Sequence, residues 1–310
     1  MKQWVMEQAR SLGFDDCAFV DVQPFTQWRA QAVKEQTGEA SMLADNARLW
    51  MPQAQSILVL FRGYQPAAAY DGPQYVRYYI ESQHAYWGAK QLAVRLQRAG
   101  LAVLHTSKLP AMAAALRAGG RYGDHGLYIH PRLGSFLHIE LLLTELAPDP
   151  RKQAEDCLHC GACQRACPTG ALAERDTSLC IRHGMDMKPM PEWMRTKVET
   201  LFGCERCQLA CPLNRPIQYA QTARTEATRL QLRSLVKGDR KPLKMLLGAN
   251  YATRTRLMSQ AALYIGARRR TEEADLLEDI CQSGLEPAGT YAQWAKQRLS
   301  LPGVDESNQK

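Results

Sequence analysis

The chain has 310 residues, enough for one large domain or two ordinary ones, and 45% hydrophobic with 23% charged residues excludes a disordered or fibrous polymer. The opening MKQWVMEQARSLGF lacks the apolar core of a secretory signal, and no apolar run approaches the roughly 18 residues of a spanning helix, so a soluble cytosolic protein with no membrane partner is expected. The net charge of +8 is uneven: +1 over 1–150, +2 over 151–220 and +5 over 221–310, with 221–270 holding 12 basic residues against only Glu226 and Asp239. Such a tail suits a polyanionic partner such as nucleic acid; an ordinary solvated helix face has the same composition.

In chain order, four short apolar runs have strand length and β-forming residues: CAFVDV (17–22), SILVLF (56–61), LAVLHTS (101–107) and FLHIELLLTEL (136–146). Helical patterns lie between them, at 3–13 and at 86–100, the latter stopped by a glycine. The alternation predicts an α/β domain over 1–150. Ala147-Pro148-Asp149-Pro150 breaks the pattern and opens a cysteine-rich segment, 151–216, which the spacing predicts to be a ferredoxin-like cluster domain. Helices are predicted near 218–236, 241–249, 252–268, 271–283 and 288–300, forming a basic, α-helical repeat-like tail over 217–310 whose last stretch, PGVDESNQK, frays.

Eight of the ten cysteines fall within 157–211. Such clustering in a long chain without a signal favours metal ligation over a disulfide framework. The first run is Cys157-x2-Cys160-x2-Cys163-x3-Cys167-Pro168, the second is Cys204-x2-Cys207-x3-Cys211-Pro212, and Cys180 lies between them. Three thiolates at this spacing wrap one cubane cluster, and the cysteine before the proline reaches the other. By that rule Cys157, Cys160, Cys163 and Cys211 hold one [4Fe–4S] cluster, and Cys167, Cys180, Cys204 and Cys207 hold the second. Zinc is the structural alternative, but it needs only four ligands and not this run. Cys17 and Cys281 read as small buried apolar residues. Clusters of this kind pass single electrons, so an external low-potential donor and an acceptor are implied. A plain ferredoxin does not account for the large domain in front or the helices behind.

The double-cluster segment and its flanks resemble the cobalamin-dependent, iron–sulfur epoxyqueuosine reductases over nearly the whole chain. DNARLWMPQAQSILVL (45–60), YVRYYIESQHAYW (75–87, with His84 where the family has a histidine), GSFLHIELLLTEL (134–146), DTSLCIRH (176–183), FGCERCQLACPLNR (202–215) and YATRTRLMSQAALYIGARR (251–269) carry the likeness. The isolated Cys180 and the Cys-Pro-Leu-Asn ending are its most specific parts. The resemblance implies reduction of the epoxide of epoxyqueuosine to queuosine in tRNA. It implies cobalamin on the N-terminal domain, reduced by the clusters, and a helical tail holding the anticodon stem-loop. Candidate corrinoid contacts carried over from it are Ser107, His125, Ser135 and Arg182.

Two departures bear on the chemistry. Matching HTSKLPAM (105–112) on Pro110 puts Ser107 where the family has its proposed proton-donating aspartate. In GGRYGDHGLY (119–128), Tyr122 stands near the family's tryptophan and Asp124 near its lysine. Protonating a departing oxygen needs an acid near working pH. Tyr122, Asp124, His105 and His125 are the candidates, against the plainer readings of a packed tyrosine, a turn aspartate and hydrogen-bonded histidines. The methionine-rich linker (Met185, Met187, Met190, Met194) reads as adaptable packing or a soft lid over a corrinoid. Three readings follow: an epoxyqueuosine reductase with a displaced donor, a paralogue using the same machinery on another substrate, and a non-catalytic electron-transfer or corrinoid-reducing protein.

Overall fold

The computed structural model describes residues 1–26, 28, 45–185 and 189–301; Met187 and the PGVDESNQK stretch lie outside the described residues. The chain forms two compact units, each assembled from three separate stretches. The first is Met1–Gln65, Glu81–Ala162 and Gln208–Ile217, and the second is Pro66–Ile80, Cys163–Cys207 and Gln218–Lys310.

The first unit is built on a four-stranded sheet. Its strands are β1 (Asp16–Asp21), β2 (Ser56–Gly63), β3 (Val103–His105) and β6 (Leu137–Thr144). All four predicted runs are strands, in the order β1-β2-β6-β3. Every pairing is antiparallel, with Ala18 opposite Val59, Val59 opposite Leu141 and Leu104 opposite Leu143. The sheet is therefore not wound from parallel crossover units, as alternating strands and helices suggest. Helices cover both faces, so an antiparallel strand here is apolar on both sides and reads like a parallel one.

Alternation along the strands makes two cores. Leu58, Leu60 and Leu142 face Val5 and Ala9 of the helix Lys2–Ser11 and Leu92 and Leu96 of the helix Tyr78–Arg98. Ile57, Val59, Leu141 and Leu143 face Ala114 and Ala115 of the helix Ala111–Leu116. Burying each of these leucines contributes roughly 1.5–3 kcal/mol. In the long helix, buried Ala85, Ala89, Leu92 and Leu96 recur at helical spacing on one face. The helix gives way at Gly100, whose φ of +86° suits only glycine among common residues.

A second, two-stranded ribbon pairs β4 (Arg121–Tyr122) with β5 (Tyr128–Ile129). Its turn is closed by Gly123 N–H donating to Leu127 O at 3.0 Å and Gly126 N–H donating to Gly123 O at 2.8 Å.

The second unit is helical, as expected of the C-terminal region, with helices Arg224–Arg229, Leu232–Lys237, Arg240–Leu247, Arg254–Ala267, Asp275–Gln282 and Ala288–Ser300. Asp239 and Thr253 cap two of them by accepting from the N–H groups of Lys241 and Arg256. The single helix expected at 218–236 is two, because Gln231 is extended. Leu230 and Leu232 are both fully buried. Two positions apart on one continuous helix they would point to nearly opposite sides, so the break lets both enter the core. Among the described residues no helix is long and apolar enough to cross a membrane.

Candidate metal centre

All ten cysteines are free thiols, so the cysteine motifs are not a disulfide framework. In the first unit, the segment leading to Cys157 is laid along the β4–β5 ribbon. Arg121 bridges to Glu155, Glu155 N–H donates to Gly120 O at 2.8 Å, and the Arg121 guanidinium binds the Glu155 carboxylate and the Asp156 carbonyl. The loop then turns back on itself through His159 (φ +48°) and Gly161 (φ +68°). Cys211 comes from the short turn that precedes Pro212–Asn214. Its thiol is pushed up by burial and by the neighbouring Cys160 and Cys157 thiolates. Cys160 and Cys157 therefore lie near Cys211.

The second unit makes an equivalent gathering. Burial pushes Cys204 up to about 11, with the Cys180 and Cys167 thiolates adding to it. Burial alone would also raise Cys167. The Thr169 hydroxyl, 3.6 Å from its sulfur, and the N–H groups of Thr169, Leu172 and Ala171 outweigh that and bring it down. N–H and O–H groups turned toward a sulfur are what a thiolate ligand needs. Cys163 and Cys207 sit on the one-turn helices Ala162–Ala166 and Arg206–Ala210. Crowding thiolates is costly unless a cation-rich centre takes up their charge, so this all-sulfur donor set fits iron–sulfur clusters.

Asp124, from the ribbon's turn, reaches the same loop. Its two carboxylate oxygens lie 2.9 and 3.1 Å from His159 Nδ1, and His159 Nε2 is 3.3 Å from Asp156. A ligating atom of Asp124, Cys157 and His159 all lie within 4.8 Å of one another. Asp124 is thus tied to the cysteine loop.

The other candidates are dispersed. His105, at the end of β3, has Nε2 2.6 Å from Glu140 of β6, with Tyr86 edge-on to its ring at 5.4 Å. Ser107 is exposed in the turn that follows. Tyr122 is 47% exposed. His125 is buried, its Nδ1 accepting from Leu127 N–H at 3.2 Å, while Nε2 has no partner among the described residues. Burial lowers its pKa to about 4. Ser135 is committed to the chain itself: its N–H donates to Asn214 Oδ1 at 2.7 Å and its hydroxyl to Gln208 Oε1 at 3.1 Å. Arg182 belongs to the second unit, its guanidinium 5.0 Å from the Tyr79 ring centre. His84 pairs with Glu81 at 3.2 Å, and Glu81 with Arg62 at 3.4 Å. Sequence reasoning missed Glu140 and His159. Glu140 lies in a mostly apolar strand, where a half-buried acid needs a partner, and that was a readable signal. An exposed histidine between two cysteines gives none.

Residues 156–214 match the 4Fe-4S double cluster binding domain. The chain is 27% identical over 249 residues to the epoxyqueuosine reductase of Bacillus subtilis, covering 69% of this chain and 64% of the relative. It is 29% identical over 253 residues to that of Staphylococcus aureus, covering 71% of this chain and 66% of the relative, so the match spans just under two thirds of both relatives. A crystal structure of an epoxyqueuosine reductase with a tRNA-Tyr epoxyqueuosine-modified stem loop superposes with a TM-score of 0.77 at 22% identity, over 97% of this chain and 90% of that one. In sequence and in fold the chain is similar to proteins named epoxyqueuosine reductase, and its residues 156–214 match a double-cluster segment.

Proposed function

We propose that the protein is a cobalamin-dependent iron–sulfur reductase that converts epoxyqueuosine to queuosine in tRNA. The observation that carries the reading is the match of residues 156–214, with their eight cysteines, to a double-cluster segment, within a fold like that of the tRNA-bound structure; Cys157 and Cys160 lie near Cys211, and Cys167 and Cys180 near Cys204. Spacing adds Cys163 to the first set and Cys207 to the second. The division of labour would be 1–150 for the corrinoid, 151–216 for the clusters and 217–310, read as a repeat-like tail, for the anticodon stem-loop. An external low-potential protein would supply the electrons.

When bound, the clusters supply single electrons and cobalamin a redox-active cobalt. His125 supports a bound acceptor on the first unit: its buried Nε2–H, fixed by the tautomer that Leu127 N–H imposes, has no acceptor among the described residues. Ser107, exposed nearby in sequence to β3, offers a hydroxyl. Ser135 would contribute a hydroxyl already held by Gln208 and Asn214, while Arg182, in the second unit, places its guanidinium against Tyr79.

For the proton, His105 is the best supported of the four candidates. Glu140 holds its Nε2 at 2.6 Å and fixes the ring, which leaves Nδ1 to exchange a proton with a reacting oxygen. His125 is neutral at physiological pH and serves as a hydrogen-bond donor rather than an acid. Asp124 is engaged by His159, and Tyr122 ordinarily holds its proton too tightly.

The test is an anaerobic reaction of the reconstituted protein with cobalamin, a strong reductant and epoxyqueuosine-containing tRNA, read by nucleoside mass spectrometry. Queuosine formation is expected. Cobalamin bound and reduced without queuosine would assign the machinery to another substrate, and failure to bind cobalamin would leave an electron carrier.

A further inference from the structure

We propose that Asp124 is a positioning residue for the first cluster: by gripping His159 inside the Cys157–Cys160 loop, its carboxylate sets that loop's conformation and the reduction potential of the cluster held there. The proposal rests on the cluster reading of the cysteines and is independent of cobalamin and tRNA.

Two attachments straddle Cys157. On one side, Arg121 of β4 binds Glu155 and the Asp156 carbonyl. On the other, Asp124 binds His159 through both carboxylate oxygens. The ribbon that carries both is itself fixed by its turn hydrogen bonds. His159 needs such an anchor, because it holds a left-handed backbone (φ +48°) that residues other than glycine adopt reluctantly. Its ring is pinned from both sides, by Asp124 at Nδ1 and Asp156 at Nε2.

The same geometry brings charge to the cluster. An Asp124 carboxylate oxygen, a His159 nitrogen and Cys157 Sγ all lie within 4.8 Å of one another. A cluster's potential responds to nearby charge and to hydrogen bonding around its sulfurs. A carboxylate at this range disfavours the more negative, reduced cluster, and the imidazole N–H that it holds offsets it. Removing each partner therefore has an opposite effect. Loss of the carboxylate raises the potential; loss of the imidazole leaves the carboxylate unopposed and lowers it. An exposed ion pair with only a minor structural part would move neither.

The experiment is a redox titration, followed by electron paramagnetic resonance, of the full-length reconstituted protein and its Asp124→Asn and His159→Gln variants, without cobalamin or tRNA. Iron and sulfide analysis of each sample comes first. The expected result is that Asp124→Asn shifts one cluster signal to higher potential, His159→Gln shifts the same signal lower, and the other signal stays in place. Unchanged potentials in both variants, or equal movement of both signals, overturns the proposal. If Asp124→Asn fails to retain iron, His159→Gln decides alone, by whether a single signal moves down. A parent protein without iron and sulfide overturns the cluster reading and this inference together, whereas inactivity on tRNA touches neither.

Discussion

Asn214 and Ser135 are joined twice: Ser135 N–H donates to Asn214 Oδ1 at 2.7 Å, and Asn214 Nδ2 donates to the Ser135 hydroxyl at 3.0 Å. Asn214 Nδ2 also reaches Gln208 O at 2.7 Å, so the residue closing the Cys-Pro-Leu-Asn motif ties the entry to β6 to the stretch around Cys211. Asn214→Ala leaves a buried Ser135 N–H unpaired and is expected to cost about 1–3 kcal/mol. Gly134→Ala is expected to be at least as damaging, since its φ is +68° and a Cβ there would lie 2.2 Å from Asn214 Oδ1. Thermal denaturation of the two variants checks both.

His105→Ala and Glu140→Gln are expected to slow queuosine formation while leaving tRNA affinity and iron content intact. A positioned general acid is worth about 10²–10⁴-fold. Added imidazole should restore part of the rate to His105→Ala and none to Glu140→Gln. Single-turnover rates with and without imidazole make the comparison.

His125 makes acid stability titrate. Burial lowers its folded pKa from the ordinary 6.5 to about 4, so the unfolded chain binds the proton first. Stability is therefore unaffected above pH 6.5 and falls as pH drops from there to about 4. The loss from this one group is about 3 kcal/mol at most. His125→Gln, which cannot take up that proton, should flatten the denaturation midpoint across this window.

Cys211→Ser and Cys204→Ser are each expected to lose about half of the iron, because each removes a ligand from a different cluster. The double variant should lose nearly all of it. Iron-to-protein ratios after anaerobic reconstitution measure this, and equal, complete loss in both single variants would point to one shared centre.

The strands were legible because burial on both faces makes them continuous apolar runs. Their antiparallel order was not, since β2 and β6 pair Val59 with Leu141 across a long stretch of chain, and a run such as SILVLF looks alike in either arrangement. The double-cluster segment was legible because cluster ligation imposes fixed cysteine spacing. The attachments of Ser135 and Asp124 were not. Ser135 sits at a strand mouth where a ligand contact is a natural reading, but its partner Asn214 is 79 residues away. Asp124 read as a proton-donor candidate or a turn aspartate because His159, its partner, lies 35 residues on in a loop whose path only the folded chain defines. The break at Gln231 reflects a core that takes both Leu230 and Leu232, a tertiary demand that helical propensity alone does not register.

The interleaving of the two units has a consequence for dissection. All four strands of the first unit's sheet lie within residues 16–144, yet that unit also takes in Gln208–Ile217. The second takes in Pro66–Ile80 and Cys163–Cys207 before its later helices. No single cut between Pro66 and Ile217 therefore frees one unit whole, so neither can be isolated as a simple fragment.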